Sequence, residues 1–570
     1  MAKIIIKKSL PWFLILGLIL GVMVMLSPKN TIGTNQATTT AGVNNKAPVF
    51  TAGPAENPAS TSTSPTNVGE NVTFQATATD KNSDKYYLAI CKEDSITPGS
   101  NSAPTCGGSG SWCISSETNS GVQASCNYTA LQGDASSNNW YAFVCDKNAS
   151  GLCSSSSQGS GDSGSPFNVN HRPSFTVFSD NSPKNPGETV TFTTTASDSD
   201  SDNVTLYVCK TAAFSGTCTG GEWCHSSASA SDPSCQTNLG TPLQDKNYEA
   251  YGYIIDSHNL AASGGSQGTD SILTVSNVAP SISASSIYLL DTDESGDLTL
   301  TVAESETTGF KVKFTVVDNN SCLNSSSSPE IVSALINVRM SEITQTGCDA
   351  EGEYNANNCY PDAKTGWDPV CVQDSGSCSG STDSDATWTC TFPLKFYADP
   401  TVTDSQKAAY NWVAAVKATD DNSADTGLVD STTYSNEMGM FLAYDLTTTS
   451  IAYGSLDPGA DSSEKTTTLK ATGNVGLDET LYGVDMSSGS DTIAVSQQHY
   501  NLSSGLGWGN GTALGYTPGV EVELNCPKTT TDTPATKNTY WVLRVPDPQA
   551  AGSYSGTNTI SGVTGESSGW

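Results

Sequence analysis

Apolar and polar residues alternate with a period of two along much of this chain. In Thr189–Ala196 and again in Asn203–Cys209, aliphatic and aromatic side chains fall on one face and hydroxyls on the other. That is the pattern of a strand buried on one side. Gly, Ser, Asp and Asn separate such stretches at short intervals, so the expected unit is a sandwich of two antiparallel sheets. No segment after residue 30 sustains a helical stripe. Ser405–Ala418 comes closest, but Pro400 precedes it and aromatic and β-branched residues crowd its end, which predicts a loop running into a strand.

The pattern repeats. Gly69-Glu70-Asn71-Val72-Thr73-Phe74, then Tyr87–Cys91 and Trp112-Cys113, recurs as Gly187-Glu188-Thr189-Val190-Thr191-Phe192, Leu206–Cys209 and Trp223-Cys224. An offset of this size in 570 residues predicts about four folding units. The fold expected is therefore all-β: tandem immunoglobulin-like β-sandwiches, stapled by disulfides, after one N-terminal hydrophobic helix. Boundaries are expected at 1–30 (signal peptide or anchor), 31–46 (a Thr/Asn/Gly-rich linker), 47–170 and 171–277 (two matching domains). A third domain with a Cys-rich insertion is expected at 278–445, and a C-terminal sandwich at 446–570. Pro48, Pro173 and Pro280 open three of the units in the same extended style.

Charge and the N-terminus narrow the setting. The net charge is −33 with only Arg172, Arg339 and Arg544 as arginines, so a nucleic-acid backbone would be repelled. Lys3, Lys7 and Lys8 precede an apolar run from Leu10 to Leu26, which favours an uncleaved anchor with the remaining chain outside, with a removed signal peptide as the alternative. The expected location is the extracellular surface, held to the membrane through that helix or secreted.

Cysteine arithmetic supports an oxidising compartment. Of 17 cysteines, six fall in the first domain, four in the second and six in the third, even counts that favour disulfides closed within each domain. Cys91, Cys106, Cys113 and Cys126 align with Cys209, Cys218, Cys224 and Cys235. Cys145 and Cys153 are both replaced in the second copy, by Ile255 and Ala261, and their loss together implies that they bond to each other. The shared four allow three pairings; the sequential one is favoured because it closes short loops. Cys322, Cys348, Cys359, Cys371, Cys378 and Cys390 are expected to pair in the third domain, and Cys526 is left as a buried thiol or an intermolecular link. Trp112 and Trp223 are expected to pack on the adjacent disulfides in the core, with an open aromatic platform for sugar as the rival reading.

Carboxylates supply the candidate chemistry. Asp198, Asp200 and Asp202 alternate at the end of a strand, and the matching loop of the first copy carries Asp80, Asn82 and Asp84. Alternating oxygens of this kind can converge on calcium when the loop curls, and a solvated acidic turn is the alternative. Asp291, Asp293, Ser295 and Asp297 come nearer to a calcium loop, yet Val302 stands where a bidentate carboxylate would be needed. Asp420–Asp425 is a weaker candidate of the same kind. Calcium is the only cofactor suggested. Four histidines with no metal spacing, and no Gly-x-Ser-x-Gly or His-Glu-x-x-His motif, argue against an enzyme. Eight Asn-x-Ser/Thr sequons permit glycosylation, although Asn71 falls in a predicted strand.

The Gly-Glu-x-Val-Thr-Phe opening resembles uncharacterised immunoglobulin-like or cadherin-like repeat surface proteins of small-celled, mostly uncultivated bacteria and archaea. The Asp-rich turn before Leu206–Cys209 and the closing Ser455–Gly459 and Thr472–Asp478 segments share the likeness. The resemblance implies a fold and an exterior location, and brings no catalytic residues. The functions expected are a structural or adhesive surface role, as a self-associating coat or filament subunit, or else recognition of a glycan or another cell-surface or host protein through end loops. The Cys348–Cys390 insertion is the favoured place for such recognition.

Overall fold

The computed structural model describes residues 38–159, 164–432, 436–505 and 507–566. The apolar Leu10–Leu26 run, and with it the expected anchor helix, lies outside them. Among the described residues the only helical turns are five 3-10 segments of three residues each; every other regular element is a strand. Contacts divide the chain into two compact units, one of Met1–Ala59, Thr73–Tyr128 and Asn139–Pro166, the other of Ser60–Val72, Thr129–Asn138 and Phe167–Trp570. The expected first domain thus contributes segments to both.

In the first unit, Val49–Glu56, Asn71–Thr79 and Gln123–Thr129 make one three-stranded sheet, and Tyr141–Asp146, Tyr86–Cys91 and Ser111–Ile114 make another. Cys113–Cys126 joins a strand of one sheet to a strand of the other. Cys91–Cys106 and Cys145–Cys153 close shorter loops. Phe74 meets Trp140 edge-on with ring centroids 5.3 Å apart, both fully buried, and the indole N–H donates to Glu56 Oε1 at 2.7 Å. The indole thereby keeps a partner for its one polar atom while its ring fills the core.

The second unit contains three further sandwiches. The first of them repeats the arrangement just described: Ser174–Asp180, Thr189–Ser197 and Cys235–Asn238 face Glu222–His225, Val204–Cys209, Tyr251–Asp256 and Thr269–Asp270. Cys209–Cys218 and Cys224–Cys235 take the same sequential pairing. Closing loops of 9 to 15 residues in this way stabilises each sandwich by about 3 kcal/mol per bridge, chiefly by limiting the unfolded chain. The repeated Gly-Glu has a backbone cause. Gly69 and Gly187 sit at φ +95° and +82°, a left-handed turn that favours glycine. The turn delivers Val72 and Phe74, or Val190 and Phe192, to the core at 1% exposure or less.

In the third sandwich Ser281–Ile282, Glu306–Val317, Asp385–Lys395 and Val370–Gln373 oppose Cys359–Tyr360, Ile331–Met340, Trp412–Asp420 and Val429–Asp430. Its core includes Trp367, Trp388 and Trp412. The insertion is pinned by Cys348–Cys359, Cys371–Cys390 and, to the preceding loop, Cys322–Cys378. The fourth pairs a five-stranded sheet built on Lys465–Ala471 and Thr536–Leu543 with Val520–Cys526, Leu477–Gly483 and Asn558–Thr564. Its Cys526 is a buried free thiol whose pKa burial pushes up to about 11, which keeps it protonated and unreactive.

Trp112 and Trp223 are not core residues. Each is half-buried, with its ring covered by a lysine, Lys92 at 4.2 Å and Lys210 at 4.3 Å, and its N–H given to a backbone carbonyl, Asn139 or Glu249. Trp223 packs on the margin of the core that contains Cys224 and Cys235 rather than at its centre, because the cysteine beside it points in and successive strand residues face opposite sides. The lysine covers one face of each ring, and Lys210, Trp223 and Tyr248 line a cavity of about 350 Å³.

Candidate metal centres

The turn at Asp80 begins where the strand Asn71–Thr79 ends. Asp80 Oδ1 accepts the backbone N–H groups of Asn82 at 2.7 Å and Asp84 at 3.2 Å, the local bonding that draws aspartate to such turns. Asp80 Oδ2 is buried and has no partner. Asn45 donates through Nδ2 to Asp146 Oδ2 at 2.8 Å, while Asn45 Oδ1 is also buried and unpartnered; Asp84 Oδ2 accepts from Asn148, and Asp80, Asp84 and Asp146 are not gathered into one carboxylate cluster among the described residues. Asp146, fully buried, is raised in pKa by desolvation and by the charges of Asp80 and Asp84. Asn82 does not join this group, because its Oδ1 accepts the backbone N–H of Lys46.

The second loop is built the same way. Asp198 Oδ1 accepts the N–H of Asp200 at 2.7 Å, and Asp198 Oδ2 is buried without a partner. Asn170, fully buried, donates through Nδ2 to Asp256 Oδ2 at 2.9 Å and leaves its Oδ1 unpartnered. One carboxylate oxygen from each of Asp198, Asp200 and Asp202 lies within 4.8 Å of the others. Desolvation, then the two neighbouring charges, raise the Asp198 carboxyl. Asp200 is partly committed elsewhere, accepting the backbone N–H of His171 at 2.6 Å and meeting its imidazole Nδ1 at 3.0 Å.

A third copy of this frame stands at the strand end that begins the weaker Asp420–Asp425 candidate. Asn277 Nδ2 donates to Asp420 Oδ2 at 2.9 Å, and Asp318 Oδ1 accepts the N–H of Asn320 at 2.7 Å. Asn277 Oδ1 and Asp318 Oδ2 are both buried and unpartnered. The recurring elements are thus an asparagine three residues before Pro48, Pro173 or Pro280, a turn aspartate, and an aspartate closing the strand that ends at Asp146, Asp256 or Asp420. The Asn-x-x-Pro signal is present in the sequence at the entry into each of the first three sandwiches, but the asparagine lies 28 to 41 residues from its turn aspartate, beyond the reach of a spacing argument.

The Asp291–Asp297 loop does not converge. Asp291 Oδ1 accepts the N–H of Thr299, Asp293 Oδ1 accepts both N–H and hydroxyl of Ser295, and Asp297 Oδ1 accepts the N–H of Glu437. Their oxygens hold turns, and the three aspartates are not gathered into one group among the described residues. An acidic trio that the sequence reading missed, Asp478, Glu523 and Glu566, gathers on the fourth sandwich. Glu523 is raised by the charge of Glu566 and then of Asp478.

No protein-family model matches this sequence, and no curated protein matches it. Among solved structures the chain is similar to a four-domain ICAM-5 ectodomain fragment, at 9% identity over 87% of this chain and 96% of that one, with a TM-score of 0.22. A bacterial ice-binding adhesin involved in host cell surface retention gives 13% identity over 69% and 99%, with a TM-score of 0.22. A marsupial T cell receptor gives 8% over 62% and 93%, with a TM-score of 0.23.

Proposed function

We propose that this is a non-enzymatic extracellular surface protein, structural or adhesive, whose sandwiches are locked at their entry ends by calcium bound at the Asp80 and Asp198 turns. The observation that carries the reading is the repeated pair of buried, unpartnered oxygens, Asn45 Oδ1 with Asp80 Oδ2 and Asn170 Oδ1 with Asp198 Oδ2. A buried polar atom without a hydrogen bond costs about 1–3 kcal/mol, and oxygen-only donor sets with several carboxylates suit calcium. Eight disulfides support the exterior location.

Self-association into a coat or filament is the finer reading. The Cys-rich insertion ends a sheet with the strand Val370–Gln373, whose Val370 and Val372 are 63% and 53% exposed, and an apolar sheet edge is a surface on which strands pair. The full chain in detergent is expected to form assemblies by analytical ultracentrifugation that Val372→Lys disperses; a monomer indifferent to the change contradicts this reading. A recognition role is favoured instead by a groove of about 630 Å³ on the fourth sandwich, lined by Tyr453, Leu456, Met486 and Tyr554 among others. Capture of one glycan by a monomeric protein, lost on Tyr554→Ala, would support it. For the calcium turns the test is thermal unfolding: chelator lowers the melting temperature of the full chain, and an unchanged melt rejects them.

A further inference from the structure

At the entry to the third sandwich the frame carries an addition that the first two lack. Glu330 is fully buried, and neither of its carboxylate oxygens has a hydrogen-bond partner. One of its oxygens lies within 4.8 Å of an oxygen of Asp245, from the second sandwich, and of Asp421, from the third. Asp318 Oδ2 and Asn277 Oδ1 are also buried and unpartnered, and the Asp318 carboxylate acts electrostatically on Glu330. The ion pairs found among the described residues include none of Asp245, Asp318, Glu330, Asp420 or Asp421.

The chain has therefore gathered carboxyls around one fully buried glutamate and paired none of them with a positive charge. Desolvation, then Asp421, Asp245, Asp318 and Asp420, push Glu330 up to about 8; desolvation foremost pushes Asp318 up to about 6. An isolated buried carboxylate is costly enough that it pairs, binds a cation or gives up its charge. A merely protonated glutamic acid would need an acceptor for its proton, and neither Glu330 oxygen has any hydrogen-bond contact. The other side chains are already braced from behind: Asn324 Nδ2 donates to Asp421 Oδ2 at 2.9 Å, Asn422 Nδ2 donates to Asp245 Oδ2, and Asp420 spends Oδ1 on the N–H of Ala424 and Oδ2 on Asn277. Outer partners of this kind orient metal ligands.

We propose that Glu330, Asp245 and Asp421 form a divalent-cation site of the calcium class that ties the second sandwich to the third. Hard carboxylate oxygens drawn from both sides of the corner, with no nitrogen or sulfur among them, meet the needs of calcium, which takes about six to eight oxygens, better than those of zinc, which prefers nitrogen and sulfur. The site extends the calcium reading of the Asp80 and Asp198 turns but rests on different residues.

The test is calcium stoichiometry of the full chain by equilibrium dialysis, for the unaltered protein and for Glu330→Gln, Asp421→Asn, Asp80→Asn and Asp198→Asn. Glu330→Gln and Asp421→Asn are each expected to lose about one bound calcium per chain. Retention of the full number by both overturns the proposal; Asp421, being exposed, carries the test if the Glu330 change does not fold. Loss in Glu330→Gln with none in Asp80→Asn or Asp198→Asn would sustain this site and reject the calcium turns, and the reverse would do the opposite.

Discussion

The corner between the second and third sandwiches and the one between the third and fourth solve the same problem in opposite ways. Both bury polar groups where two sandwiches meet. At the later corner the fourth sandwich reaches across with Lys528, 8% exposed, whose ammonium pairs with Asp399 at 2.9 Å and donates to the carbonyls of Tyr397 and Thr529 and to Asn357 Oδ1. Burial lowers the lysine pKa while Asp399 opposes the shift. Asn474, the asparagine of that corner, has every polar atom bonded, to Phe441, Ala398 and Gly439. At the earlier corner Asn277 Oδ1, Asp318 Oδ2 and both oxygens of Glu330 wait without partners. One corner carries its cation covalently, on a lysine stem; the other depends on a cation from outside, and so can be loosened by withdrawing it.

Removing the built-in cation should do the most harm. Lys528→Met leaves Asp399 and three acceptors unpaired in a buried place, and a loss of about 3–5 kcal/mol is expected from the corresponding transition in chemical denaturation, with or without calcium. If chelator erases the effect, the two corners are not independent. Chelation of the unaltered chain comes next: at a hundredfold excess over its dissociation constant a ligand stabilises by about 2.7 kcal/mol, so that much should vanish with EDTA from the earlier corner and none from the later one. Followed by hydrogen exchange, faster exchange at Leu243 and Asn320 with unchanged protection near Lys528 is the predicted map; uniform loss would break the contrast.

A smaller effect of opposite sign should follow from Glu330→Gln. It removes a carboxyl that burial pushes up to about 8 and that folding must therefore protonate near neutral pH when no cation is bound, so in EDTA the variant should be more stable than the unaltered chain by about 1–3 kcal/mol. Added calcium should then stabilise it less. The smallest change is expected from Lys210→Ala, which uncovers the Trp223 ring at the cost of a surface cation–π contact of about 0.5–1 kcal/mol and leaves calcium binding alone. A shift in calcium affinity there would mean that the sandwich edges and corners are coupled.

The alternation in Thr189–Ala196 and the aligned cysteines carried most of the fold into view, because strand period and short-loop disulfides are local properties of the chain. The turn aspartates were visible for the same reason: Asp80 and Asp198 bond to backbone two residues on. What stayed hidden was assembled from afar. Asp146, Asp256 and Asp420 end strands that lie 58 to 102 residues beyond their turn aspartates, and Glu330 sits after a Ser-rich loop with nothing in its neighbours to mark it as buried. Trp140, the core indole of the first unit, was passed over for Trp112 because proximity to a cysteine in sequence is not proximity in the core. Asp291–Asp297 erred the other way: its spacing suits calcium, but the backbone N–H groups of Ser295, Thr299 and Glu437 take the oxygens first.

The central claim is that one corner of this molecule is closed by a cation the chain does not supply. Anomalous diffraction from crystals of the full chain soaked in a lanthanide would test it most directly. A peak about 2.3–2.6 Å from the oxygens of Glu330, Asp245 and Asp421, with none beside Lys528, is the predicted result. Lanthanide density at Asp80 and Asp198 but none at Glu330 would contradict it.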